Sequence, residues 1–156
     1  VILKPVNKNF ALVAAFTRFV YAVMWALMAI NTLGALRLLS EADFLKVFET
    51  DRLQAMMSLN LSSSWDAYYV GLPFWGLASL VISWLFYKSR YIPRILAGFG
   101  ILSSAWCVFC AFVFLIFPGY GDIVHLGLFD VPMTIFELIL GFWLLIGGLK
   151  PKSNSQ

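Results

Sequence analysis

Two ionisable residues lie inside long apolar stretches of this 156-residue chain: Arg18 in NFALVAAFTRFVYAVMWALM and Glu137 in VPMTIFELILGFWLL. A charge in such surroundings must be offset by a partner, which makes each position a functional candidate. A guanidinium and a carboxylate can pair, directly or through water, and together can orient a small polar group or pass a proton. Counted at helical spacing, Arg18, Ala22, Trp25, Ala29 and Thr32 share one face, with Tyr21 and Asn31 beside it. The candidate polar site is therefore Arg18, Tyr21, Trp25 and Glu137. The competing reading of the same residues is a structural ion pair that serves packing specificity.

Other reactive side chains lack the company their chemistry needs. His125, the single histidine, follows Asp122 by three residues. That is too little for a metal site of several ligands or for an acid–base pair in a cleft, and His125 reads as a loop residue. Cys107 and Cys110 form a Cys-x-x-Cys in the middle of an apolar run, with no nearby cation to activate a thiolate, and read as buried inert thiols. Ser62, Ser63 and Ser64 have no Gly-x-Ser-x-Gly setting and read, with Asp66, as a helix cap. No phosphate loop, dinucleotide fingerprint or HExxH is present, so no catalytic or metal-ligating set and no cofactor is assigned.

The elements that hold these residues follow from composition. The chain is 62% hydrophobic and only 12% charged, with a mean hydropathy of +0.87. Such a balance points to lipid as its solvent. A formal charge of +3, scattered along the chain, gives no case for nucleic acid. Four stretches, at 10–36, 65–87, 92–117 and 131–149, are candidate spans. Each reaches the length of roughly 20 residues needed to cross a hydrocarbon core of about 30 Å. The predicted fold is an all-α, polytopic transmembrane helical bundle forming one domain over 1–150, with a polar tail at 151–156.

Between the first two spans, residues 40–66 carry five carboxylates against two bases. Ser40 with Asp43, and Thr50 with Asp51, are credible helix starts, and Leu45, Phe48, Leu53, Met56 and Met57 fall at helical spacing. An amphipathic extracytoplasmic helical segment over 40–60 is expected, lying at the membrane surface or capping the bundle, its second half running toward the next span.

Basic residues cluster at alternate connections: Lys4 and Lys8, then Lys88, Arg90 and Arg94, then Lys150 and Lys152. The positive-inside rule places all three clusters, and both ends of the chain, in the cytoplasm of a cell-membrane protein. Lys88, Arg90 and Arg94 would hold the turn inside, Tyr91 would seat it among headgroups, and Pro93 would open the third helix. Trp65, Tyr68, Tyr69 and Tyr120 would mark the opposite interface, while Trp25, Trp75 and Trp106 fall deeper. Arg18 would then lie about 12 Å in from one side and Glu137 about 9 Å in from the other, leaving about 9 Å of height between them. Small residues Gly76, Ser79 and Ser83 on the second span, and Ala97, Gly100 and Ser104 on the third, predict close antiparallel packing. Gly71 and Pro73 could interrupt the second span.

VGLPFWGLASLVISWLFYKSRYIPRILAGFGIL, followed by FPGY and FELILGFWLLIGGLK, resembles the bacterial domain-of-unknown-function family 4386. Ser89, Tyr91, Pro93 and Arg94 match its Ser-x-Tyr-hydrophobic-Pro-Arg turn, and Glu137 with Trp143 matches its last helix. The resemblance implies a multi-span inner-membrane protein, with two further spans ahead of the segment at Val1 and a His in many relatives where Ala78 stands here. It implies no biochemistry. Two functions are expected from the residues: a non-catalytic protein that acts as an accessory subunit beside other membrane subunits or binds a lipophilic small molecule, or an intramembrane enzyme or small transporter using Arg18 and Glu137.

Overall fold

The computed structural model describes residues 3–40, 45–117, 119 and 127–148. Four helices account for most of them: α1 (Lys8–Leu38), α2 (Thr50–Ser89), α3 (Arg94–Ile116) and α4 (Gly127–Ile146). No strand occurs among the described residues. Each helix is long and apolar enough to cross a membrane. Only 6% of the most apolar stretch of α1 is buried in the bundle, against 56% for α2. Phe16, Phe19 and Ile30 stand outward on α1, a surface suited to acyl chains rather than to water.

α1 begins where the Asn7 side chain accepts hydrogen bonds from the backbone N–H groups of Asn9 and Phe10, satisfying two orphan donors of the first turn. It contains 31 residues, and α2 contains 40 residues. At the rise of an α-helix they are about 46 Å and about 60 Å long, so both exceed a core of about 30 Å. The second half of the segment expected over 40–60 runs on into the span expected over 65–87. One helix runs without a break from Thr50 to Ser89.

The serine cluster with Asp66 lies inside that helix and caps nothing. Ser63 donates to the Leu59 carbonyl at 2.9 Å and Ser64 to the Asn60 carbonyl at 3.1 Å, so their hydroxyls fold back onto the preceding turn. Ser64 also meets the Thr32 hydroxyl at 3.1 Å, tying α2 to α1. α2 does begin at Thr50, but the cap is Glu49 and no side chain bonds across it. Asp43, expected to help start a helix near Ser40, lies outside the described residues.

Gly71 and Pro73 do not interrupt α2. Both are buried within it, although proline chemistry leaves the Tyr69 carbonyl without its intrahelical donor. Extensive packing joins α1 to α2, α2 to α3, and α3 to α4, so α1 and α4 form the flanks. The predicted small residues sit at the tightest contacts. A Cβ on Gly76 would lie 2.6 Å from Val108 Cγ2, and one on Gly100 would overlap the Phe136 ring and Ser83 Oγ. Ser79, Ser83, Ala97 and Ser104 are buried beside them.

The turn between α2 and α3 carries the basic cluster. Arg90 takes a left-handed conformation (φ 58°) and its N–H bonds the Phe86 carbonyl, ending α2 as glycine more often does. Ile92 is buried, and Pro93 is the cap of α3, one position ahead of the predicted first turn. Lys88, Arg90 and Arg94 are exposed and Tyr91 is half-buried. The Arg94 guanidinium lies 5.8 Å from the Tyr87 ring centroid. That is within range of a cation–π contact.

Candidate functional site

Arg18 and Glu137 meet across the groove between the two flanking helices. The structure pairs Arg18 Nη2 with Glu137 Oε1, although α1 and α4 share no extensive interface. Direct pairing leaves no such vertical gap between them, and both helices begin earlier than predicted. Arg18 is ten positions from Lys8 and Glu137 ten from Gly127. Each therefore lies about 15 Å along its helix.

α2 supplies the rest of the arrangement. Ser79 Oγ donates to Glu137 Oε1 at 2.6 Å and accepts from Arg18 Nη2 at 3.0 Å; Trp75 Nε1 donates to the same Oε1 at 2.9 Å. Trp75 and Ser79 are four positions apart, so one face of α2 presents both donors. Three donors converge on a single carboxylate oxygen.

Aromatic rings flank the pair on one side. Tyr21 stacks on Trp75 with centroids 5.7 Å apart and planes within 8°, and meets Trp25 edge-on at 6.2 Å. Both are favoured arrangements for aromatic pairs. Arg18, Tyr21, Ala22, Trp25, Trp75 and Glu137 line a cavity of about 510 Å³. On the other side, a cavity of about 220 Å³ lies among Arg18, Ser79, Glu137, Phe136 and aliphatic residues of α2 and α4. The Arg18 and Glu137 side chains are 34% and 30% exposed, so the pair is reachable from the groove.

All four predicted site residues, Arg18, Tyr21, Trp25 and Glu137, line that larger cavity. Trp25 is half exposed there rather than packed in the interior; Trp106 is likewise exposed, and of the three deeper tryptophans only Trp75 is buried. Trp75 and Ser79 are the functional side chains that sequence reasoning missed. Read from sequence, one is a packing residue and the other a small-residue contact. Their i, i+4 spacing on an apolar helix is nevertheless the signal of a polar face.

A second polar contact lies two turns along α4. Tyr68 donates to Asp130 Oδ2 at 2.8 Å and Thr134 to Asp130 Oδ1 at 3.3 Å. A last span starting at residue 131 leaves Asp130 in a loop, whereas the helix already includes it. Its spacing with Thr134 and Glu137 (i, i+4, i+7) marks one helix face. Tyr68 and Tyr69 are half-buried, Tyr69 packing on Phe114, and Trp65 alone of the three stands exposed.

Cys107 and Cys110 are free and buried. Among the described residues no three His, Cys, Asp or Glu side chains gather where a metal could sit. His125, Asp122, Tyr120, Lys150 and Lys152 lie outside the described residues.

Comparison with known proteins places the chain in a family and adds no activity. An uncharacterised protein of Archaeoglobus fulgidus is 27% identical over 150 residues, covering 96% of this chain and 72% of that protein. No solved structure matches. The sequence model of the family described as Domain of unknown function (DUF4386) matches residues 1–148, nearly the whole chain, and the protein belongs to that family.

Proposed function

We propose that this protein is a non-catalytic membrane protein that binds a lipophilic molecule in the groove between α1 and α4, with the polar end of that molecule at Arg18 and Glu137. One observation carries the reading. An ion pair about one-third exposed bridges two helices that otherwise barely touch, and an open groove lined by Tyr21, Trp25 and Trp75 lies beside it. A purely structural pair would be expected to sit in a close-packed interface. The cavity measures about 510 Å³.

An intramembrane enzyme or transporter would need a polar path leading to Glu137. The walls here are aromatic and aliphatic apart from Ser79 and the pair itself, which favours a binding role. In the same reading the protein is a multi-pass cell-membrane protein with the turn bearing Lys88, Arg90 and Arg94 in the cytoplasm, as the positive-inside rule requires.

The test is native mass spectrometry of protein purified from its membrane, compared with Ala22→Trp. Ala22 is exposed and lines the cavity, so an indole there fills the site without disturbing buried packing. A lipophilic adduct present on the wild type and lost from a variant with unchanged melting supports the proposal. No adduct on the wild type, or the same adducts on both proteins, would overturn it.

A further inference from the structure

Hydrogen-bond capacity at the pair is used on one side only. Glu137 Oε1 accepts from Arg18, Ser79 and Trp75, while Oε2 has no protein partner among the described residues. Arg18 Nη2 donates to Glu137 and to Ser79, while Nε and Nη1 donate to none of the described residues. A carboxylate oxygen that needs a donor therefore stands beside a guanidinium with three N–H groups that need acceptors. Away from water, polar groups left in this state are a standing cost that a ligand can remove.

Charge restricts what can satisfy them. The pair sums to zero, and neither cavity is lined by any other charged residue. Asp130, on the same face of α4, is already held by Tyr68 and Thr134. An anionic headgroup would leave the site with one uncompensated negative charge, and a cationic one with a positive charge, each disfavoured in a low-dielectric groove. A headgroup with acceptors alone, such as an ester or ketone, would leave Oε2 without a donor. A hydroxyl is the smallest neutral group that meets both needs, donating its proton to Oε2 and accepting from Nη1 or Nε.

We infer that the groove between α1 and α4 takes a neutral, hydroxyl-bearing amphiphile, its hydroxyl bridging Glu137 Oε2 and the Arg18 guanidinium and its apolar body against Tyr21, Trp25 and Trp75. This rests on the binding role proposed above. Long-chain alcohols and diacylglycerols share that chemistry. The first are free lipophiles and the second are products of bilayer lipids.

The full chain in nanodiscs, read by native mass spectrometry and by the change in tryptophan fluorescence to which Trp25 and Trp75 contribute, allows a matched series of oleyl probes. Oleyl alcohol is expected to bind at least about tenfold more tightly than oleate, oleylamine or methyl oleate, a difference of about 1.4 kcal/mol. Dioleoylglycerol competing with it on equal terms would point to a bilayer source, and failure to compete to a free alcohol. Either result supports the hydroxyl.

Glu137→Gln removes the negative charge and leaves Arg18 unpaired, so it should shift the ranking toward oleate by about tenfold or more. A gain of this kind cannot come from misfolding. A charged or ester probe binding the wild type as tightly as the alcohol, or an unchanged ranking in Glu137→Gln, would overturn the hydroxyl while leaving the binding role intact. Failure of every probe to bind, with no native adduct, would overturn both.

Discussion

Glu137 Oε1 is held by three donors from two helices, so its partners act as a unit rather than singly. Removing Arg18 leaves a carboxylate with only Trp75 and Ser79, and removing Glu137 leaves a guanidinium with only Ser79. A double-mutant cycle of Arg18→Gln and Glu137→Gln should therefore show coupling. Each side chain is about one-third exposed, which weakens the pair relative to a fully buried one. A coupling of about 1 to 2 kcal/mol is expected. Unfolding in mixed micelles with increasing SDS measures it. Strictly additive losses would mean that the contact contributes nothing as a pair.

Helix packing depends on positions where a side chain has no room. At Gly100 a Cβ would overlap both the Phe136 ring from α4 and Ser83 Oγ from α2, so this glycine lets three helices meet. Phe136 is buried and precedes Glu137, which links the packing to the pair. Gly100→Ala should destabilise the bundle by about 1 to 3 kcal/mol, the usual cost of forcing volume into a close-packed site. It should also loosen ligand retention more than Gly98→Ala, where a Cβ meets nothing within 4 Å. Equal stability of the two variants in the same SDS titration would remove this role from Gly100.

Taken together in a bilayer, four apolar helices need a direction as well as partners. Lys88, Arg90 and Arg94 are exposed on a turn of a few residues, and none is bonded to a carboxylate among the described residues. Their proposed role is to hold that turn in the cytoplasm, each charge opposing translocation across the bilayer. Neutralising all three should make a cysteine placed at Ser89 accessible to an impermeant maleimide from the outside of intact cells in a measurable fraction of molecules. With the native charges that labelling should be absent. Unchanged labelling would mean that orientation is set elsewhere.

Hydropathy made the helices legible, because a run of apolar residues long enough to cross lipid has few other fates. The same reasoning marked Arg18 and Glu137, since a charge in such a run stands out, and Gly76 and Gly100, since small residues recur where helices touch. Helix ends were less legible. Residues 50–64 continue α2 despite their charges because Asp51 and Arg52 face outward while Ser64 is drawn onto Thr32 of α1. Residues 127–130 already belong to α4.

That extra helical length shaped the site. It brought Asp130 onto the helix face that carries Thr134 and Glu137. The other donors to the pair came from packing alone: Trp75 and Ser79 reach Glu137 because α2 passes directly behind the groove. Residue order and hydropathy were enough to require that two charges be satisfied inside a bundle, since lipid offers them no partner. The placement of α1 and α4 on either side of α2 is a long-range outcome that no local pattern encodes. It is what lets the two charges satisfy each other on one side and remain open on the other.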